Sequence, residues 1–564
     1  MRLSKHESIV FRTKVHAGAL LCSMLVIFGI LFSACGGSAP ASHTNPNTPL
    51  TIVGGPGGDY SVAFSPYTAG SLSPGTQGLI YETLLMPNEL NGTLSPWLAS
   101  SYNFSSDAKT LTFHIRQNVK WSDGQPFTAN DVAFSFNLLK QYPAADTSSL
   151  WSTLQSVTAT DQYTVTMVLQ HAYSPFLYYA GKTFIAPQHI FSKVGDPTKY
   201  TNPKPVGTGP YVLKSFTPQL VALQKNPNYW GTAPQVNILH FPAYDSNNSV
   251  ELDLDRGNID WAGVFTPNIQ QTYVNRDPSH FHYWFPASST TLLYLNLAKS
   301  PFNQLAVRQA ISLALDRQKM TTVGESGYST LPSPTGLVLP NQQSYLTSTY
   351  SNVLLNSTDI AKANQLMQSA GFAKGSDGIY VGKDGKKLSF SIIGVTGWTD
   401  EITNDQIMAQ DLKQIGMNVM VNAISYNNYF NDLQMGNFDM ALNGSTNGVT
   451  PFYFYDALLN SKDTAPIGQQ AQTNWERWQN PTTDNLLSQY TTTTDLTRQK
   501  QIITQLEQVM VNQIPAVPLF YGVYFYEYST AHFTGWPDKS NAYAVPAPWA
   551  APDYESIILH LKPA

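Results

Sequence analysis

The 564-residue chain carries 32 basic and 37 acidic residues, a formal net charge of −5, and only 12% charged residues, against about 25% in an average globular protein. That balance gives no electrostatic grip on a nucleic-acid backbone, and the length suffices for two or more cored domains. Aromatics reach 12%, with Trp 11 and Tyr 31, so a weakly charged, aromatic-rich body suits stacking on uncharged ligands better than ion pairing.

In chain order, Arg2, Lys5, Arg12 and Lys14 form a basic leader, and an uncharged apolar run follows from Ala17 to Ala34. This is the pattern of an export signal. Ser33 and Ala34 place small residues before Cys35, and Gly36-Gly37-Ser38 come next. The stretch resembles a bacterial lipoprotein box, with Phe32 where such boxes usually carry leucine. The resemblance implies a signal peptide over residues 1–34, cleavage before Cys35 and lipid attachment to its thiol. The body would then sit outside the cytoplasm, anchored by lipid to the cell membrane, at a cell surface or in a periplasm. The alternative is an uncleaved transmembrane anchor, because the run is about as long as a bilayer core requires. Residues 35–49 offer no bulky apolar side chain and are expected to form a flexible stalk. The other cysteine, Cys22, lies in the leader, so a cleaved body has no disulfide to form.

Beyond the stalk, short strands alternate with amphipathic helices. "LTFHIR" from Leu111 alternates apolar and polar residues, and "TVTMVLQ" from Thr164 reads as a second strand. Val307, Ala310, Ile311, Ala314 and Leu315 share one helical face. "TDIAKANQLMQSAGF" starts at a Thr/Asp cap and stops at Gly371. A helix from Asn404 ends near Gly416 and leads into a strand through Val419 and Val421. The helix around Arg498–Val511 breaks before Pro515, and "AVPLFYGVYFY" continues as a strand. This alternation predicts an α/β fold with a covered sheet.

Several of these stretches occur together in a known order. "LTFHIRQNVKWSDGQPFTANDVAFSFN" (Leu111–Asn137), "VGTGPYVL", "NPNYW", "DRGNIDWA", "PFNQLAVRQAISLALDR", "KANQLMQSAGF" and "LKQIGMNV…MGNFDM" resemble the family 5 extracellular solute-binding proteins of peptide/nickel-type ABC importers. The resemblance covers essentially everything after the stalk. It implies a two-lobed fold of the periplasmic-binding-protein type II kind, with an inserted subdomain and a cleft that closes by a hinge. On that pattern lobe I comprises residues 50–90, 207–288 and 520–564, the inserted subdomain 91–206 and lobe II 289–519. It further implies partnership with ABC permease subunits in the membrane, a monomer, no nucleic acid and no covalent chemistry.

Other motifs are more economically structural. Trp121-Ser122-Asp123-Gly124 is a tight turn, and Asp131 caps the next helix. Gly207-Thr208-Gly209-Pro210 lacks the features of a phosphate loop. "DLDRG" (Asp253–Gly257) has too few oxygen ligands for a calcium loop; Val250 and Leu254 mark a helix that Gly257 ends. His280 and His282 share a strand face without a visible third ligand, so no metal and no cofactor is expected, and nickel does not follow from the family name. No nucleophile elbow, zinc-protease motif or catalytic thiol occurs, which leaves a secreted hydrolase only as a remote alternative.

The ligand class turns on "NGSTNGVTPFYFYD", Asn443–Asp456. In the peptide-binding branch of the family, the segment after the G-x-F-D motif commonly supplies an aspartate for a peptide's α-amino group. Here it offers Thr446, Asn447 or Thr450 and no carboxylate before Asp456, and a buried ammonium without a counter-charge is costly. Carboxamides pair with hydroxyls as both donor and acceptor, and aromatic faces stack on sugar rings. The expected ligand is therefore a small neutral oligosaccharide, held by Trp261, Trp398, Asn443, Asn447, Tyr453 and Tyr455. The tail "FTGWPDKSNAYAVPAPW" also resembles the oligosaccharide-binding branch. A short peptide is the alternative, with Asp400 or Asp456 as the acid.

Overall fold

The computed structural model describes residues 47–68 and 70–564; the expected signal peptide, Cys35 and most of the stalk lie outside them. Among the described residues no helix is long and apolar enough to cross a membrane.

Three sheets organise the body. The first has seven strands in the order Phe281–Tyr283, Glu527–Ser529, Trp261–Ala262, Leu50–Val53, Ile238–Pro242, Leu220–Lys225, Tyr211–Thr217. Leu50–Val53 runs parallel to both of its neighbours, and the other pairings are antiparallel. A four-stranded antiparallel sheet is built from Ala99–Phe104, Thr110–Ile115, Thr164–Leu169 and Leu154–Asp161, all between the first two visits of the chain to the seven-stranded sheet. Helix Ala129–Gln141 covers it. A capping box between Thr128 and Asp131 starts that helix, and Trp121 is buried beneath, so the Trp-Ser-Asp-Gly signature serves this layer.

The second large sheet has the order Asn418–Ile424, Ser389–Val395, Met440–Gly444, Ala287–Leu295, Val517–Val523. Ser389–Val395 is parallel to both of its neighbours. The period of two divides the strand Ala287–Leu295 between two cores: Leu293 and Leu295 pack with Ile311, Met408 and Leu412, while Leu292 and Tyr294 pack with Tyr455, Leu506 and Ile503 on the other face. Both faces are covered, as the alternation of elements predicts. The helices Leu305–Ala314, Ile360–Ser369 and Leu496–Gln513 match the sequence reading closely, and Thr399–Gln414 begins five residues before Asn404.

The chain crosses between the two large sheets at 284–286 and again at 524–526. These segments lie side by side: Trp284 N–H donates to Tyr526 O at 3.1 Å and Tyr524 N–H to Pro286 O at 2.9 Å. The boundaries expected from sequence lie nearby, at 288/289 and 519/520. The strands Ala287–Leu295 and Val517–Val523 pair with each other along the second sheet, so each crossing falls outside their paired length.

Candidate functional site

In the second sheet, three neighbouring strands release the chain at one edge. Ser389–Val395 leads through Trp398 into helix Thr399–Gln414, Asn418–Ile424 leads through Ser425 into helix Tyr426–Met435, and Met440–Gly444 ends in the loop before helix Pro451–Leu459. In the first sheet, the parallel strands Leu50–Val53 and Trp261–Ala262 release Gly54–Gly57 and Gly263–Phe265. Carboxyl ends of parallel strands, where helix N-termini and polar loops converge, are the general location of ligand crevices in α/β sheets.

The two sets of strand ends face one another across a cavity of about 840 Å³. Gly54, Gly55, Gly57, Asn247, Val264, Phe265 and Trp549 line one wall; Trp398, Asp400, Glu401, Ser425, Tyr426, Asn427, Asn443 and Gly444 line the other, with Val523 and Phe525 of the crossing segment between them. Trp549 and Tyr426 are 45% and 48% exposed, unusual for such large rings and available for stacking. Trp549 is seated because Gly263 has no side chain: a Cβ there would lie 2.0 Å from Trp549 Cζ3. Trp398 meets Tyr426 edge to face at 5.8 Å. A second cavity of about 880 Å³ shares Ser71, Tyr426 and Asn427 with the first and is rich in carboxamides, among them Gln77, Asn431, Gln434, Gln470 and Gln472.

Of the six expected ligand contacts, Trp398 and Asn443 line the main cavity. Asn443 Oδ1 accepts from Gly444 N–H at 2.9 Å, while its Nδ2 has no partner among the described residues. The other four do something else. Trp261 is fully buried; its Nε1 donates to Pro546 O at 2.9 Å and its ring packs on Trp536 and Tyr526. Asn447 Nδ2 donates to Ser288 O, tying its loop to the edge of the central strand. Tyr455 is a core residue whose Oη donates to Thr335 O at 2.9 Å. Tyr453 is buried against Tyr178, ring centroids 4.4 Å apart, and against Tyr179 at 5.4 Å. The placement of the last two has a local cause: Pro451 occupies the first turn of a helix, so what reads as an aromatic loop is a buried helix.

The acids fall equally unevenly. Asp456 accepts from Asn460 Nδ2 at 3.1 Å and does not line the main cavity. Asp400, 9% exposed, and Glu401 do line it, on the first turn of helix Thr399–Gln414. Behind them lie Glu325, Asn404 and Asp405, all buried. Burial pushes Asp400 up to about 6, and burial with the neighbouring Asp400 pushes Glu325 up to about 8. Glu401 and Asp405 are raised by burial too, Glu401 further by Asp400, Asp405 and Glu325. Glu401, Ser425, Tyr426, Asn427, Phe265 and Phe525 also line the cavity and were not named from the sequence. Ser425, Tyr426 and Asn427 follow the predicted strand through Val419 and Val421, which is the signal that could have found them. Among the described residues no three His, Cys, Asp or Glu side chains could hold a metal ion; His280 pairs instead with Asp277 at 2.7 Å.

Residues 93–466 match the family model for bacterial extracellular solute-binding proteins, family 5 middle. The chain is 28% identical to Protein XP55 of Streptomyces lividans over 353 residues, 61% of each chain. It is also 28% identical to the nickel-binding periplasmic protein of Escherichia coli over 357 residues, 61% of this chain and 65% of that one. Each alignment thus spans less than two thirds of the relative's length. Among solved structures, a periplasmic oligopeptide-binding protein of an oligopeptide ABC transporter from Thermotoga maritima, with mannohexaose bound, superposes with a TM-score of 0.84 at 26% identity, covering 92% of this chain and 99% of that one.

Proposed function

Because this chain belongs to the family 5 bacterial extracellular solute-binding proteins, we propose that it is the substrate-binding component of an ABC importer and that it captures a neutral oligosaccharide between its two large lobes. Held to the membrane by a lipid on Cys35, it would deliver that ligand to the permease, and it performs no covalent chemistry.

The observation that carries this reading is the makeup of the cavity: Trp398, Tyr426 and Trp549 offer aromatic faces, Asn247, Asn427 and Asn443 offer carboxamides, and no lysine or arginine lines it. Rings of that kind cover the apolar face of a sugar, and carboxamides exchange hydrogen bonds with its hydroxyls. The adjoining carboxamide-rich cavity extends the site beyond the volume of a single small ligand, in keeping with an oligomer. A relative of the same fold with mannohexaose bound supports the class. The paired crossings at 284–286 and 524–526 supply a two-stranded hinge for closure.

A short peptide is the second reading, favoured by Asp400 and Glu401 on the cavity wall, where an α-ammonium would find carboxyl groups. Calorimetry against mannohexaose and a mixed tri- to pentapeptide pool decides between them. Saturable heat with the sugar alone is expected. Heat with peptides alone would overturn the ligand class while leaving the transport role intact.

A further inference from the structure

The carboxyl groups at the floor of the cleft are an unusual way to furnish a site for uncharged sugar. Asp400 is nine-tenths buried and opens on the cavity. Glu401 lines it too, and its Oε2 has no hydrogen-bond partner. Directly behind, both carboxyl oxygens of Asp405 and the Oδ1 of Asn404 are buried and unpartnered, while Asn404 Nδ2 donates to Glu325 Oε1 at 2.6 Å and Ser329 Oγ to Glu325 Oε2 at 3.3 Å.

The groups packed around this cluster bring no positive charge. From the neighbouring helix comes the Tyr429 phenol, which feels Glu401 and Asp405 and, beyond it, Tyr294 of the central strand. The strand beside Asp405 presents Gly394. The opposite wall of the cavity presents glycines, Asn247, Phe265 and Trp549, none of them ionisable. Lys319, nearer the far end of the helix, donates to Gln410 instead. The first-turn backbone N–H groups of helix Thr399–Gln414 and the bonds from Asn404 and Ser329 to Glu325 favour an anion here, without a cation to balance four. Four carboxyl groups in mutual reach without a cation cannot all ionise in a buried site.

We propose that Asp400 and Glu401 meet the ligand as neutral carboxylic acids, so that the floor of the cleft both donates and accepts hydrogen bonds to uncharged hydroxyls and takes up protons when the cleft fills. This rests on reading the cleft as an oligosaccharide site. A protonated carboxyl has one O–H donor besides its acceptor oxygens, matching a sugar hydroxyl in kind. Filling the cleft with a neutral ligand expels water and disfavours whatever ionised fraction remains, so protons enter with the ligand. Sign and window follow: the bound state holds more protons than the free state, so affinity is highest at low pH and is lost as pH rises through the range of Asp400, about 6, and Glu325, about 8. A cationic ligand would do the reverse, expelling protons.

The test is calorimetry of the protein with mannohexaose between pH 6 and 8, in buffers of different ionisation heat. We expect uptake on the order of one proton per ligand, with affinity falling by up to about tenfold per pH unit, and loss of both effects in the double variant Asp400→Asn, Glu401→Gln. Affinity independent of pH with no proton exchanged would overturn the proposal, as would proton release. If mannohexaose gives no heat at any pH, the oligosaccharide reading falls, and infrared spectra of the unliganded protein still decide the state of the floor. A protonated-carboxyl carbonyl band at pH 7 that is weaker in the double variant supports it, and identical spectra overturn it.

Discussion

Two buried carboxyl sites of this molecule differ in what surrounds them. Glu82 and Glu555 lie side by side in the first lobe, fully buried. Glu82 accepts from Trp97 Nε1 at 2.9 Å and from Trp230 Nε1 at 2.9 Å, and burial raises both acids, Glu555 further through Glu82. Asp400, Glu401 and Glu325 are raised for the same physical reason, yet Asp400 and Glu401 line a cavity and Glu401 keeps an oxygen unused. A perturbed acid is thus not in itself a mark of a ligand site. Glu82 is engaged by two indoles, Glu555 leaves both oxygens unpartnered, and neither lines the two cavities of the cleft. What sets Asp400 and Glu401 apart is that they open on the space a ligand would enter.

The broadest way to test the shared half of that comparison is pH. Asp456 is raised to about 7, Glu507 to about 7 and Asp463 to about 6, all chiefly by burial. Each binds its proton more tightly folded than unfolded, so its contribution is full below the ordinary carboxylate range and fades as pH rises toward 7. The denaturant midpoint should therefore fall between pH 5 and pH 8, by several kcal/mol in unfolding free energy. A midpoint that rises over that range would contradict the assignment.

Substitutions separate the two sites. Glu82→Ala strands two indole N–H groups and should cost about 3 kcal/mol of stability, read from chemical unfolding, with ligand affinity unchanged. Trp398→Ala should do the opposite, weakening oligosaccharide binding by about 2 kcal/mol, roughly thirtyfold, while the melting temperature barely moves. The smallest and most discriminating change is Trp261→Phe. It removes the bond to Pro546 O and should cost about 1 kcal/mol of stability with no effect on affinity. A loss of affinity there would return Trp261 to the site.

The fold was legible because its signals are local: alternation marks the strand Thr110–Ile115, Asp359 caps the helix Ile360–Ser369, and Gly371, at φ 91°, ends it. Of the expected site residues, Trp398, which follows a strand, and Asn443, at the carboxyl end of one, line the cavity. Trp261 lies away from the cavity because it sits within a central strand, whose side chains face cores, and Tyr453 and Tyr455 do so because Pro451 starts a helix. Asp400 could not be ranked from sequence at all. Its importance depends on Glu325, 75 positions away, and on a first-lobe wall contributed by glycines near residue 54 and by Trp549.

The central claim is that two lobes joined by the paired crossings close on an oligosaccharide. Small-angle scattering of the protein with and without saturating mannohexaose tests it most directly. The account predicts a smaller radius of gyration with the sugar and no change with the peptide pool. Contraction with peptides alone, or an unchanged radius with every oligosaccharide offered, would contradict it.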